Sequence, residues 1–195
     1  TMLTNGANTY SIIGDIVDYM NFSDGNVALY ETAYSISDVV QAVIELEEDE
    51  ANAKNVTLSY RVEEDVPECL LGDGGRIGQV LSKLVSNAVG FKSDSTKETK
   101  VEILVSVRKE SYAHVLEIRV CDRGKVLPEY ALKLFTDYFS RGILYLRERE
   151  DNGDFSLSIV DLFVRQMQGK VSVTSKETEG TVFLIELPQL EVAES

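Results

Sequence analysis

The stretch "EDVPECLLGDGGRIGQVLSKLVSNAVGF", residues 64 to 91, decides how this chain is built. From Gly75 to Phe91 it carries a helical pattern. Ile77, Val80, Leu81, Leu84, Val85 and Ala88 recur at steps of three and four and form one apolar side. Gln79, Lys83, Asn87 and Gly90 form a second stripe that points elsewhere. An asparagine facing a cleft from such a stripe can offer its amide oxygen to a divalent cation. Most asparagines on helix faces are merely solvated, so the stripe alone settles nothing.

Upstream, Val56, Leu58, Tyr60 and Val62 alternate along one face of a strand. Ser37 reads as the N-cap of a helix from residue 38 to about 52, with Val39, Val40, Val43, Ile44 and Leu46 apolar. Residues 27 to 35 alternate as a strand. Residues 9 to 21 place Ile13, Ile16, Val17 and Met20 on one stripe, an amphipathic helix that needs a partner helix.

Downstream, residues 101 to 107 and 115 to 121 alternate and predict a hairpin across residues 109 to 113. Pro128 suits the first turn of a short helix through Leu132 and Phe135. "NGDFSLSIVDLFVRQMQGK", residues 152 to 170, is a turn feeding an amphipathic helix. Val160, Phe163, Val164 and Met167 face the core and Gly169 is the expected C-cap. Strands at residues 171 to 174 and 182 to 187 follow, separated by a turn at 177 to 180. This order predicts an α+β fold, a two-layer α/β sandwich whose mixed, mostly antiparallel sheet has helices on one face, preceded by one further helix.

The 195 residues carry a net charge of −14, with acidic runs at residues 45 to 50 and 148 to 154. Such a surface repels phosphodiester backbones, so nucleic acid is excluded as a partner, while a small anion can still bind in a locally positive pocket. Cys69 and Cys121 show no metal-ligand spacing, and Cys121 reads as a buried thiol. No apolar run approaches the roughly 18 residues of a spanning helix, and no signal pattern opens the chain. The expected location is cytoplasmic, including the cytosolic part of a membrane-anchored receptor.

The quoted stretch resembles the ATP-binding domain of sensor histidine kinases, including hybrid ones, which are ATPases of the Bergerat fold. It keeps Asp65, Pro67, Gly72, Asp73, Arg76, Gln79, Leu81, Asn87, Ala88 and Phe91 of that family's pattern. Further matches run in the right order. "VCDRGKVLP" is similar to the D-x-G-x-G box through Asp122 and Gly124, "ALKLFTDYF" to the phenylalanine box through Phe135, and "EGTVFLIELP" to the closing strand through Gly180, Thr181 and Phe183. The resemblance spans about residues 9 to 188. It implies three parts: residues 1 to 26 as the remnant of a dimerisation and phosphoacceptor region, 27 to 188 as the ATPase domain, and 189 to 195 as a tail.

The resemblance also implies roles. Asp122 would accept a hydrogen bond from the adenine amino group, with Gly124 in the same box and Thr181 close to it. Asn87 would hold Mg²⁺ against the phosphates of ATP. Lys83, in place of the family's first N-box asparagine, is a candidate phosphate contact. Implied partners are a partner histidine kinase or a response-regulator receiver domain, with homodimerisation through the helix at residues 9 to 21. His114 falls in a strand, so it reads as structural rather than as a phosphoacceptor.

The departures from the pattern all concern phosphates. Lys83, Gly90 and Val126 replace an asparagine, a lysine and a glycine, and Asn152, Asp154 and Ser156 replace the three lid glycines. Glycine lets backbone N–H groups approach phosphates at positive φ, which a β-carbon penalises by roughly 1–2 kcal/mol. A carboxylate about 4 Å from a phosphate charge costs on the order of 4 kcal/mol at an effective dielectric near 20. The expectation is a pseudokinase in a phosphorelay, with lost or weak ATP binding, that regulates through protein contacts. The alternative is an active kinase domain whose phosphoacceptor histidine lies outside this segment.

Overall fold

The computed structural model describes residues 28–90, 99–110, 114–124, 126–141 and 156–191. The elements are β1 (Thr32–Tyr34), α1 (Ile36–Ala53), β2 (Val56–Val62), β3 (Leu70–Gly72), α2 (Gly74–Gly90), β4 (Thr99–Lys109), β5 (His114–Asp122), α3 (Glu129–Arg141), α4 (Ser156–Gln166), β6 (Lys170–Lys176) and β7 (Gly180–Glu191). The expected helix at residues 9 to 21 lies outside the described residues, as do Phe91, Lys125, Asn152 and Asp154.

The strands form one mixed sheet in the order β1-β3-β7-β5-β4-β2, with β6 also paired to β7. Among the described residues only the β2–β4 pair is parallel. The helices cover one face, as the α+β sandwich requires. Alternation explains the layering: Val101, Ile103 and Val105 of β4, Leu116, Ile118 and Val120 of β5, and Ile185 and Leu187 of β7 are buried. They meet Ile77, Leu81, Leu84 and Val85 of α2 in one core. Each such side chain contributes about 1.5–3 kcal/mol when fully buried, so this shared core holds the two layers together.

The opposite sheet face is polar. Arg108 reaches Glu110, Glu117 and Glu186, while Arg119 pairs with Glu117 and Arg123 with Glu102. Exposed pairs of this kind stabilise little and chiefly keep this face solvated.

Several expectations need correction. The helix expected from residue 38 starts at Ile36, because Ser35, not Ser37, is the cap, its Oγ accepting from the Asp38 N–H at 3.3 Å. Ala88 is half-buried while Val89 is fully buried, one step further round α2. β3 was not expected. It is three residues long, too short to show a period, and it exists by pairing with both β1 and β7. The strand expected at residues 182 to 187 runs from Gly180 to Glu191, so residues 189 to 191, expected as tail, are strand opposite β3 and β5. Gly169 is not the left-handed residue at the end of α4. Gln168 takes that conformation at φ 60°, and the Gly169 N–H reaches back to the Val164 carbonyl at 2.8 Å. Glycine is needed at 169 for space, since a Cβ there would lie 2.5 Å from the Glu186 carbonyl oxygen.

On α1 the sequence marks Leu46 as apolar, yet Leu46 is 70% exposed and Glu47 only 8%. The helical step from Val43 falls on residue 47, where the Glu47 carboxylate accepts a hydrogen bond from Ser82 Oγ at 2.5 Å. Burial pushes its pKa up, against the hydrogen bond from Ser82; Glu50 adds to the rise and Lys83 opposes it. A carboxyl group with a raised folded-state pKa binds protons more tightly in the native state than in the unfolded state. Stability therefore falls as pH rises from the unfolded value toward the folded one. Glu47→Gln keeps an acceptor for Ser82 and removes the charge. The variant is expected to melt higher than wild type at pH 7.5, with the gap closing toward pH 5. Calorimetric melts at both pH values check this.

Candidate functional site: a glycine-flanked aspartate at the end of β5

β5 ends at Asp122, half-buried and paired in register with Thr181 on β7 and Val101 on β4. The turn that follows is tight. The Gly124 N–H donates to Asp122 Oδ1 at 2.9 Å, and a Cβ at Gly124 would lie 2.5 Å from Thr99 Cγ2. Gly180 begins β7 at φ +77°, where any Cβ would collide with the Asp122 carbonyl oxygen and the Arg123 Cα. Gly180 thus lets the start of β7 pack against the Asp122 backbone, and Gly124 lets the turn pass close to Thr99. The Gly124 N–H orients this carboxylate.

Thr181 is 3% exposed, and its hydroxyl lies 3.0 Å from Ser175 Oγ on β6. Ser175 Oγ also accepts from the Leu127 N–H at 2.8 Å. The segment after the D-x-G turn is thereby tied to the two C-terminal strands. Ser175 gave no signal in the sequence, because a serine on an alternating strand is ordinary. Phe183, two residues beyond Thr181, receives the rings of Phe135 and Phe139 from α3 edge-on at 6.3 and 6.2 Å.

On the neighbouring helix, Asp73 caps the start of α2. Its Oδ1 accepts from the Arg76 N–H at 2.9 Å and its Oδ2 from the Tyr30 N–H at 3.0 Å. Lys83 and Asn87 are half-buried one turn apart on α2. Lys83 also lines a groove of about 1050 Å³ over the outer side of α2, with Val39 and Leu46 on one wall and Phe163 on the other. Asp122, Gly124, Asn87 and Thr181 do not line that groove. The structure thus joins Asp122, Gly124 and Thr181 into one junction and sets Lys83 toward the helical surface beside Glu47 and Ser82.

His114 sits on the inner strand β5 with Nε2 3.0 Å from Glu191 on β7, a contact between neighbouring strands rather than a helical phosphoacceptor setting. Cys121 is buried and its thiol pKa is raised by that burial; both cysteines are free. Among the described residues no cluster of three His, Cys, Asp or Glu is arranged to hold a metal. No described helix is long and apolar enough to cross a membrane.

The junction presents an oriented carboxylate, Asp122, next to the buried Thr181. The Asn87 amide suits Mg²⁺ as an oxygen ligand, but a lysine one turn away opposes a cation. An α/β sandwich that ends an inner strand in such an aspartate, beside a helix bearing an amide stripe, is an adenine-nucleotide-binding domain in plan. Residues 72–191, more than half of the chain, match the family described as histidine kinase-, DNA gyrase B-, and HSP90-like ATPase, and the chain belongs to that family. Within it, the chain is an ATP-binding domain of the histidine kinase type.

The signal transduction histidine-protein kinase BarA of Escherichia coli K12 is 26% identical over 184 residues, covering 94% of this chain and 20% of BarA. The sensor protein GacS of Pseudomonas syringae is 29% identical over 188 residues, covering 96% and 20%. The chain therefore spans about a fifth of the length of these relatives. Full-length ShkA, solved in complex with AMPPNP, shares the fold at a TM-score of 0.76 and 21% identity, covering 98% of this chain and 38% of ShkA. The histidine kinase AdeS of Acinetobacter baumannii does so at 0.70 and 18%, covering 96% and 82%.

Proposed function

We propose that this chain is the ATP-binding module of a two-component or phosphorelay signalling protein, and that it acts as a pseudokinase. It keeps the adenine end of the pocket, lacks a good site for the triphosphate, and regulates through contacts with a partner kinase or a receiver domain. The observation that carries this reading is the contrast between the two ends of the site. Asp122, Gly124, Gly180 and Thr181 make an ordered carboxylate cradle, whereas Lys83 stands where the family pattern has an amide and its charge acts on Glu47.

In this mechanism Asp122 orients adenine by accepting from its amino group, and Gly124 and Gly180 permit the close backbone packing that holds Asp122 in place. Asn87 would hold Mg²⁺, which when bound neutralises phosphate charge. Lys83, set toward Glu47 and Ser82, supplies no amide oxygen to the metal in place of the family's asparagine. The signalling role places the domain in the cytoplasm, as a free protein or the cytosolic part of a receptor, and homodimerisation runs through residues 9 to 21.

Titration calorimetry with Mg-ATP and ADP tests this directly. Weak binding of both nucleotides, with Mg-ATP no tighter than ADP, supports the reading. The Asp122→Ala variant is expected to lose at least about tenfold in ADP affinity, the value of one charge-assisted hydrogen bond. The second reading is an active kinase domain that phosphorylates a histidine outside this segment, and Asn87, still present on α2, favours it. Clean micromolar Mg-ATP binding, followed by phosphate transfer to a dimerisation-domain substrate supplied in trans, would establish that reading instead.

A further inference from the structure

Asp161, on α4, is a charged residue only 1% exposed. A buried carboxylate is costly unless it is paired and hydrogen-bonded. Its partner is Arg165, one turn along, whose Nε lies 2.9 and 2.7 Å from the two carboxylate oxygens. An ordinary pair at this spacing sits on a solvated face and touches only its own helix. This one goes further, because Arg165 Nη2 also donates to the carbonyl oxygen of Phe139, in the last part of α3. The guanidinium therefore ties α3 to α4 through a main-chain carbonyl.

The chain just ahead of α3 is tied down too, through the Leu127 N–H, Ser175 and Thr181. Between these two points Phe135 and Phe139 press on Phe183, on the strand that carries Thr181. We propose that Arg165, held by Asp161, is a positioning residue. It fixes the turn of α3 around Phe139 and, through Phe135, Phe139 and Phe183, the place of Thr181 beside Asp122, so that it supports adenine-nucleotide binding from outside the pocket. The link to nucleotide rests on the function proposed above; the mooring of α3 does not.

The test is the double variant Asp161→Leu with Arg165→Leu, which removes the tie to α3 without stranding a buried charge. Hydrogen exchange is followed over residues 129–141 without nucleotide, and ADP affinity is measured by calorimetry. A folded double variant should show at least about tenfold faster exchange over residues 136–141 and at least about tenfold weaker ADP binding. Arg165→Lys, which keeps the charge but not the planar fork, should fall between it and wild type. If the double variant does not fold, the lysine variant carries the same comparison. Unchanged exchange over α3 overturns the mooring, and faster exchange with unchanged ADP affinity overturns its link to the pocket. Absence of ADP binding by the wild type counts against the nucleotide reading instead, and the exchange result still decides the mooring.

Discussion

A Gly180→Ala variant is expected to lose about 2–5 kcal/mol of unfolding stability, from two separate effects. The residue sits at φ +77°, where a β-carbon costs about 1–2 kcal/mol. That β-carbon also meets the Asp122 carbonyl oxygen and the Arg123 Cα. These are backbone atoms of paired strands, which no rotamer change can move, and overpacking of this kind costs about 1–3 kcal/mol more. For a domain of ordinary stability, roughly 5–15 kcal/mol, this is a large fraction.

The strands relax by parting at the junction, so the same change misplaces Asp122 relative to Thr181 and weakens adenine binding. Urea unfolding provides the measurement, with Gly90→Ala as control. Gly90 ends α2 with open space where a methyl group would stand, so alanine there is expected to be neutral or stabilising by up to about 1 kcal/mol. Equal losses at the two positions would refute the packing argument.

The second large effect concerns the phosphates. The triple variant Asn152→Gly, Asp154→Gly, Ser156→Gly restores the lid glycines that the resemblance leads one to expect. Removing the residue-154 carboxylate lifts a repulsion on the order of 4 kcal/mol, if it stands about 4 Å from a phosphate at an effective dielectric near 20. At about 1.4 kcal/mol per decade, Mg-ATP affinity should rise by roughly a thousandfold. The restored glycines add backbone N–H access at the start of α4, a helix N-terminus suited to anions. Adenosine, which has no phosphate, should gain almost nothing. Titration of both ligands separates the two terms, and a triple variant that binds Mg-ATP no better than wild type would sink the proposed cause of impaired binding.

How much of this was legible in the sequence differs from element to element. α2 was readable almost to its ends because seventeen residues carry one 3.6-residue period, and a long repeat averages out single exceptions. β4 and β5 were readable because alternation on a half-buried sheet repeats every second residue. The ion pair of Asp161 and Arg165 was invisible in kind rather than in position. An acid four residues before a base reads as a solvated pair, and nothing local says that the acid is buried. Glu47 misled for a related reason, since a glutamate flanked by acids belongs on a surface until Ser82 arrives from another helix to meet it.

By itself the sequence determined the layers and the chemistry of the candidate site: which stretches are helices or strands, and which residue types stand at Asn87, Asp122, Gly124 and Thr181. Local periodicity and ordered motifs encode those properties within a few residues of each position. Only the tertiary structure decided which of them meet. The Asp122–Thr181 register, the three-residue β3 held by partners far along the chain, and the reach of Arg165 to Phe139 all depend on contacts between distant segments. Such contacts form only where packing satisfies both sides at once, so neither side signals them alone.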